Sequence, residues 1–122
     1  MSWTLATPDG TSLDVNAWNW RPTVELLERA GVIDAETAGL LGYNIDVDLS
    51  GEQARRIADF LDAYLAGLPD DGRVMLDGST TTEPDTDELH RDDLSRNYSA
   101  TAAWLRTFRD FCRAATGGFT VG

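Results

Sequence analysis

The stretch from Ile45 to Ile57, IDVDLSGEQARRI, sets Asp46, Asp48 and Ser50 at alternate positions and follows them with Gly51. Alternating oxygen donors ahead of a glycine turn are how a calcium loop begins, and Glu52 could join Asp46 and Asp48 as a third carboxylate ligand. A loop opening at Asp46 reaches its twelfth position at Ile57, where the bidentate glutamate belongs, and isoleucine ligates nothing. A strand running into a helix explains more residues. Ile45, Val47 and Leu49 alternate inward and throw Asp46 and Asp48 to the other face. Ser50 then caps a helix, Gln53 completes a capping box, and Glu52 complements the helix dipole. The sequence therefore predicts no bound metal and no cofactor, with Asp46, Asp48 and Glu52 as the alternative should a cation bind.

A second constellation is aromatic. Trp18, Trp20 and Arg21 precede Pro22, and Trp104, Phe108 and Phe111 come from a later helix. Tryptophan and arginine are enriched at binding hot spots, and Arg21 could lie on a tryptophan face. The competing assignment puts Trp20 and Phe108 in the core and Trp18 over the sheet. The expected binding residues are Trp18, Trp20, Arg21 and Trp104, joined by Asp85, Asp87 and Glu88 from an acidic segment. That segment, residues 79 to 96, holds six carboxylates (Glu83, Asp85, Asp87, Glu88, Asp92 and Asp93) against Arg91 and Arg96. With so few apolar anchors it reads as a mobile loop. The one histidine, His90, falls there without a nucleophile or an orienting group beside it. Cys112, the one cysteine, sits on an apolar helix face, so the pair offers no ordinary zinc site. No catalytic residue is assigned.

Around these residues the chain predicts an α+β fold: a small antiparallel sheet against two long helices, plus one or two short helices. Trp3, Leu5, Leu13 and Val15 alternate about the turn Pro8-Asp9-Gly10, a hairpin over residues 3 to 15. A helix with Pro22 in its first turn, Trp20, Val24 and Leu27 on one face and a stop at Gly31 follows, then a short one from the N-cap Asp34 to Gly42. Residues 50 to 68 carry Ala54, Ile57, Ala58, Leu61, Leu65 and Leu68 at helical spacing. Residues 73 to 76 suggest a short strand, 99 to 116 a last helix, and Phe119 and Val121 a final strand.

At 122 residues the chain is one domain, 1–122, large enough to bury a core without metal or disulfide. Its net charge is −11, and all ten basic residues are arginine. That acidity argues against direct nucleic-acid or anionic-membrane binding and permits a basic protein partner. The N-terminal stretch lacks a signal-peptide pattern, and no window reaches the roughly 18 apolar residues of a membrane span, so a cytoplasmic protein is expected.

The elements "NAWNWRP", "GYN" before "ARRIADFLDAYL", and "FRDFCRAATGGFTV" together resemble a family of small uncharacterised bacterial proteins. Members carry N-x-W-x-W-R-P, a G-x-N-D-G turn and a terminal G-G-F element; Ile45 and Asp46 replace the Asp-Gly of that turn here. The resemblance implies one domain whose two ends pack together, and no activity. The expected function is a non-enzymatic protein that binds a partner through an acidic surface, as an inhibitor, immunity protein or nucleic-acid mimic. The alternatives are a carboxylate-based metal-dependent enzyme, and a small-molecule module built on Trp18, Trp20 and Arg21.

Overall fold

The computed structural model describes residues 2–43, 45–84 and 93–122. Asp85, Asp87, Glu88 and His90, with the centre of the segment expected to be mobile, lie outside the described residues.

The N-terminal hairpin forms as its alternation predicts. Strands β1 (Ser2–Ala6) and β2 (Ser12–Asn16) pair antiparallel with Thr4 opposite Asp14, sending Trp3, Leu5 and Val15 inward. Gly10 takes the positive φ that the connecting turn demands, 93°. Helix α1 (Ala17–Arg29) begins upstream of Pro22, because Asn16 Oδ1 accepts from the Asn19 amide at 3.0 Å and caps it there. Pro22 thus lies inside the helix, where it has no N–H to give the Trp18 carbonyl. Helix α2 (Ala35–Leu41) is capped by Asp34, which accepts from the Thr37 amide at 2.7 Å.

Residues 47 to 57 form a strand and a capped helix, not the calcium loop. Ile45, expected to face inward with Val47 and Leu49, lies ahead of the strand and is exposed because no ladder partner reaches it there. Strand β3 (Val47–Leu49) buries Val47 and Leu49, and leads into helix α3 (Gly51–Ala66). Ser50 Oγ accepts from the Gln53 amide at 3.1 Å, and Gln53 Oε1 from the Ser50 amide at 2.8 Å. Ile57, which would have been the twelfth loop residue, is core.

The described residues between the long helices form several short elements. Strands β4 (Arg73–Met75) and β5 (Thr80–Thr81), a 3-10 turn (Leu94–Asn97) and strand β6 (Ser99–Thr101) precede helix α4 (Ala102–Ala114). Ser99 therefore does not open the last helix, as its spacing predicts. It sits opposite Met75 in a ladder with β4, and Thr101 caps the helix instead. Buried Arg73 organises this region. Its Nε donates to the Glu83 carbonyl at 2.9 Å and one terminal nitrogen to Ser99 Oγ at 3.1 Å.

Strand β7 (Phe119–Val121) completes a four-stranded antiparallel sheet in the order β2-β1-β7-β3; the second sheet runs β5-β4-β6. Helices α3 and α4 contribute Ile57, Leu61, Leu105 and Phe108 to one continuous core shared with Trp3, Leu5 and Val121. The turn into β7 is tight. Gly118, at φ 88°, lies where a methyl group would collide with the Leu49 carbonyl, and one on Gly51 would collide with that of Thr116. No helix of the described residues is long and apolar enough to cross a membrane.

Candidate functional site

Helix α1 divides the aromatic constellation between inside and outside. Trp20 is 1% exposed; its indole N–H donates to the Leu41 carbonyl at 3.0 Å and its ring meets Phe108 edge-on at 5.6 Å. Trp104, half-buried, stacks on Phe108 at 5.5 Å and donates to Thr23 Oγ1 at 2.9 Å. Both indoles therefore work within the fold. Trp18 faces outward, 40% exposed, with Tyr98 at 4.7 Å between ring centroids. Arg21 projects beside it, its guanidinium carbon 5.7 Å from the Tyr98 centroid. Arg21 thus lies over a tyrosine, not a tryptophan. Of the residues singled out by sequence, the structure brings Trp18 and Arg21 together and adds Tyr98. The only prior signal for Tyr98 was an isolated aromatic just ahead of the last helix.

The concavities nearby do not assemble chemistry. A recess of about 170 Å³ between α1 and α2 is walled by Trp20, Arg21, Val24 and Glu25, smaller than the roughly 300 Å³ at which small-molecule sites begin. A groove of about 530 Å³ where α3 starts and α4 ends is bordered by Glu52, Arg55, Cys112 and Arg113. Burial pushes the Cys112 thiol far above its ordinary value, so it stays protonated and is no nucleophile.

Asp48 on β3 and Asp46 just ahead of it are exposed, while Glu52 lies in the first turn of α3. Asp48 Oδ1 accepts from the Thr120 hydroxyl at 2.7 Å. Among the described residues no group of three or more His, Cys, Asp or Glu side chains is placed to hold a metal ion.

Charge is unevenly distributed over this surface. Along α3 and α4, acids and arginines pair: Arg106 with Asp70 at 3.1 Å, Arg109 with Asp62 at 3.4 Å and Asp110 at 3.1 Å, and Arg113 with Asp59 at 2.6 Å. Exposed pairs of this kind add little stability, but they cancel local charge. The four-stranded sheet is different. Residues 2 to 16, 45 to 50 and 117 to 122 contain no arginine or lysine, yet carry Asp9, Asp14, Asp46 and Asp48, all exposed.

The outward side chains of that sheet fall into two rows across the strands. One runs Asp14, Thr4, Gly122, Asp46. Thr4 is paired with Asp14 in the β1–β2 ladder and exchanges backbone hydrogen bonds with Gly122 at 2.8 and 3.0 Å, and Gly122 abuts the Asp46 carboxylate. The other row runs Ser12, Ala6, Thr120, Asp48. Carboxylates thus stand on both edge strands, with only small side chains on the two central ones. The Thr4 hydroxyl donates to Asp14 at 2.8 Å as Thr120 does to Asp48, so hydroxyls of the centre fix the orientation of the flanking acids. Sequence reading recognised Asp46 and Asp48 as outward-facing but did not single out Asp14 or show that the three flank one surface, since that depends on β7 lying between β1 and β3.

No family model matches the chain, and no curated protein or solved structure matches it.

Proposed function

We propose that this is a non-enzymatic, cytoplasmic protein that binds a basic protein partner through an acidic surface, in the manner of an inhibitor, an immunity protein or a nucleic-acid mimic. One observation carries the reading. Asp59, Asp62, Asp70 and Asp110, on and beside α3 and α4, are paired with neighbouring arginines, whereas the open face of the four-stranded sheet has acids and no cation of its own. A one-signed surface on a protein of net charge −11 attracts a cationic partner from a distance, accelerates encounter and makes the association salt-sensitive. The likeness of the NAWNWRP and GGF elements to the small bacterial family belongs to the same proposal and adds no reaction to it.

The test is calorimetric titration against a panel of purified basic proteins, nucleases and cationic toxins included, at low and high salt. Saturable binding of one of them, weakening steeply as salt rises, is the expected result. Failure of every cationic protein to bind at low salt would overturn the proposal.

A further inference from the structure

The basic-partner reading can be taken one step further, to a place on the surface and a shape of partner; the step rests on that reading. We infer that the outward face of the four-stranded sheet is the docking surface, and that its occupant is a basic α-helix of the partner laid between the two edge strands.

The dimensions set the fit. Strands β2 and β3 are three strand spacings apart, about 14 Å at the usual separation of roughly 4.8 Å. An α-helix with its side chains is about 10–12 Å across. Thr4, Ala6, Thr120 and Gly122, on the two central strands, form a floor without a long side chain to obstruct it. Asp14 stands on one flank and Asp46 and Asp48 on the other, within reach of lysine or arginine side chains from either side of such a helix.

Carboxylates on both flanks and a floor of small side chains between them suit a lysine- or arginine-rich helix.

Nitrogen-15-labelled full-length protein is titrated with a lysine-rich peptide stapled into a helix. The same composition interrupted by prolines serves as the non-helical probe. Amide shifts are expected to concentrate at residues 2–6, 12–16, 45–49 and 119–122, with the stapled peptide binding severalfold more tightly. Asp14→Asn with Asp48→Asn keeps each hydrogen-bond acceptor but removes two charges, and should weaken binding severalfold. Asp70→Asn with Asp110→Asn removes the same charge from the α3–α4 face and should leave the affinity unchanged. Thermal melts confirm that each variant is folded. Equal losses from the two double variants, or shifts centred on α3 and α4, would overturn this location while leaving the basic-partner reading intact. Equal binding of the proline-interrupted peptide would overturn the helical occupant. No binding of either peptide alongside tight binding of a basic protein from the panel would sink the inference alone, and silence from both would sink the two together.

Discussion

Thr23 on α1 and Trp104 on α4 are joined by a 2.9 Å hydrogen bond from the indole N–H to Thr23 Oγ1, whose own hydroxyl donates to the Asn19 carbonyl at 2.7 Å. Thr23 is fully buried, so this relay holds the two helices in register across the core. Thr23→Val keeps the shape but removes the acceptor. It should cost about 1–3 kcal/mol by stranding the indole N–H, whereas Thr23→Ser should recover most of the loss. Urea denaturation of the two variants decides it, and equal stabilities would show that the relay contributes nothing.

Leu61 on α3 and Phe108 on α4 have no exposed surface and belong to the same core. Truncating either to alanine should destabilise the protein by about 2–5 kcal/mol through lost burial and a residual cavity. A change below about 0.5 kcal/mol in denaturant titration, the scale of ordinary surface substitutions, would contradict the packing described.

The neighbouring glycines 117 and 118 should behave oppositely. Gly118→Ala combines a φ of 88° with a collision against the Leu49 carbonyl, and should cost more than the 1–3 kcal/mol of backbone strain alone. Gly117 has open space around its Cβ position, so Gly117→Ala should stay within about 0.5 kcal/mol of the parent. Melting temperatures of the two single variants provide the comparison.

Asp34 introduces an acid dependence. Hydrogen bonds from Thr37, its side chain first and then its backbone amide, hold the Asp34 carboxyl below its ordinary value of 3.8. The folded state binds fewer protons there than the unfolded chain, so the contribution to stability is complete above that ordinary value. It is lost as pH falls through the lower folded value. Asp34→Asn keeps a capping side chain without the titration. The stability gap between parent and variant should therefore narrow on acidification; a gap independent of pH would refute the assignment.

Cys112 should be inert while the protein is folded. Because burial holds its thiol in the neutral form, reaction with a thiol-specific disulfide reagent should be slow in buffer and immediate in denaturant. Rapid labelling of the native protein would mean that the groove beside α4 opens far enough to expose the sulfur.

Sequence and structure agree where local and tertiary demands coincide. Ser50 and Gln53 form their capping box within four residues of chain, and Val47 and Leu49 face inward because the strand's own alternation says so. Disagreement appears where distant pairing decides. Pro22 suits a first helical turn, yet α1 starts at Ala17, since Asn16 supplies an earlier cap and Trp20 belongs in the core beside Phe108. Ser99 and Ala100 fit a helix until β4 offers them a ladder, and Arg73 shows its importance only once Glu83 and Ser99 surround it. The split of Trp18 from Trp20 was open to periodicity. The meeting of Trp18 and Arg21 with Tyr98 was not, because it spans most of the chain.

The position of β7 between β1 and β3 also governs the order in which the molecule can be built. During synthesis β3 leaves the ribosome with no neighbour, and β1 has only its hairpin partner, until residues 119–121 arrive to bridge them. The hairpin and the helices can form early from local interactions, but closure of the sheet must wait for contacts of high sequence separation, the slow kind. A nascent chain stalled ahead of residue 119 would present two unpaired strand edges at once, the condition in which chaperone capture or aggregation competes with folding.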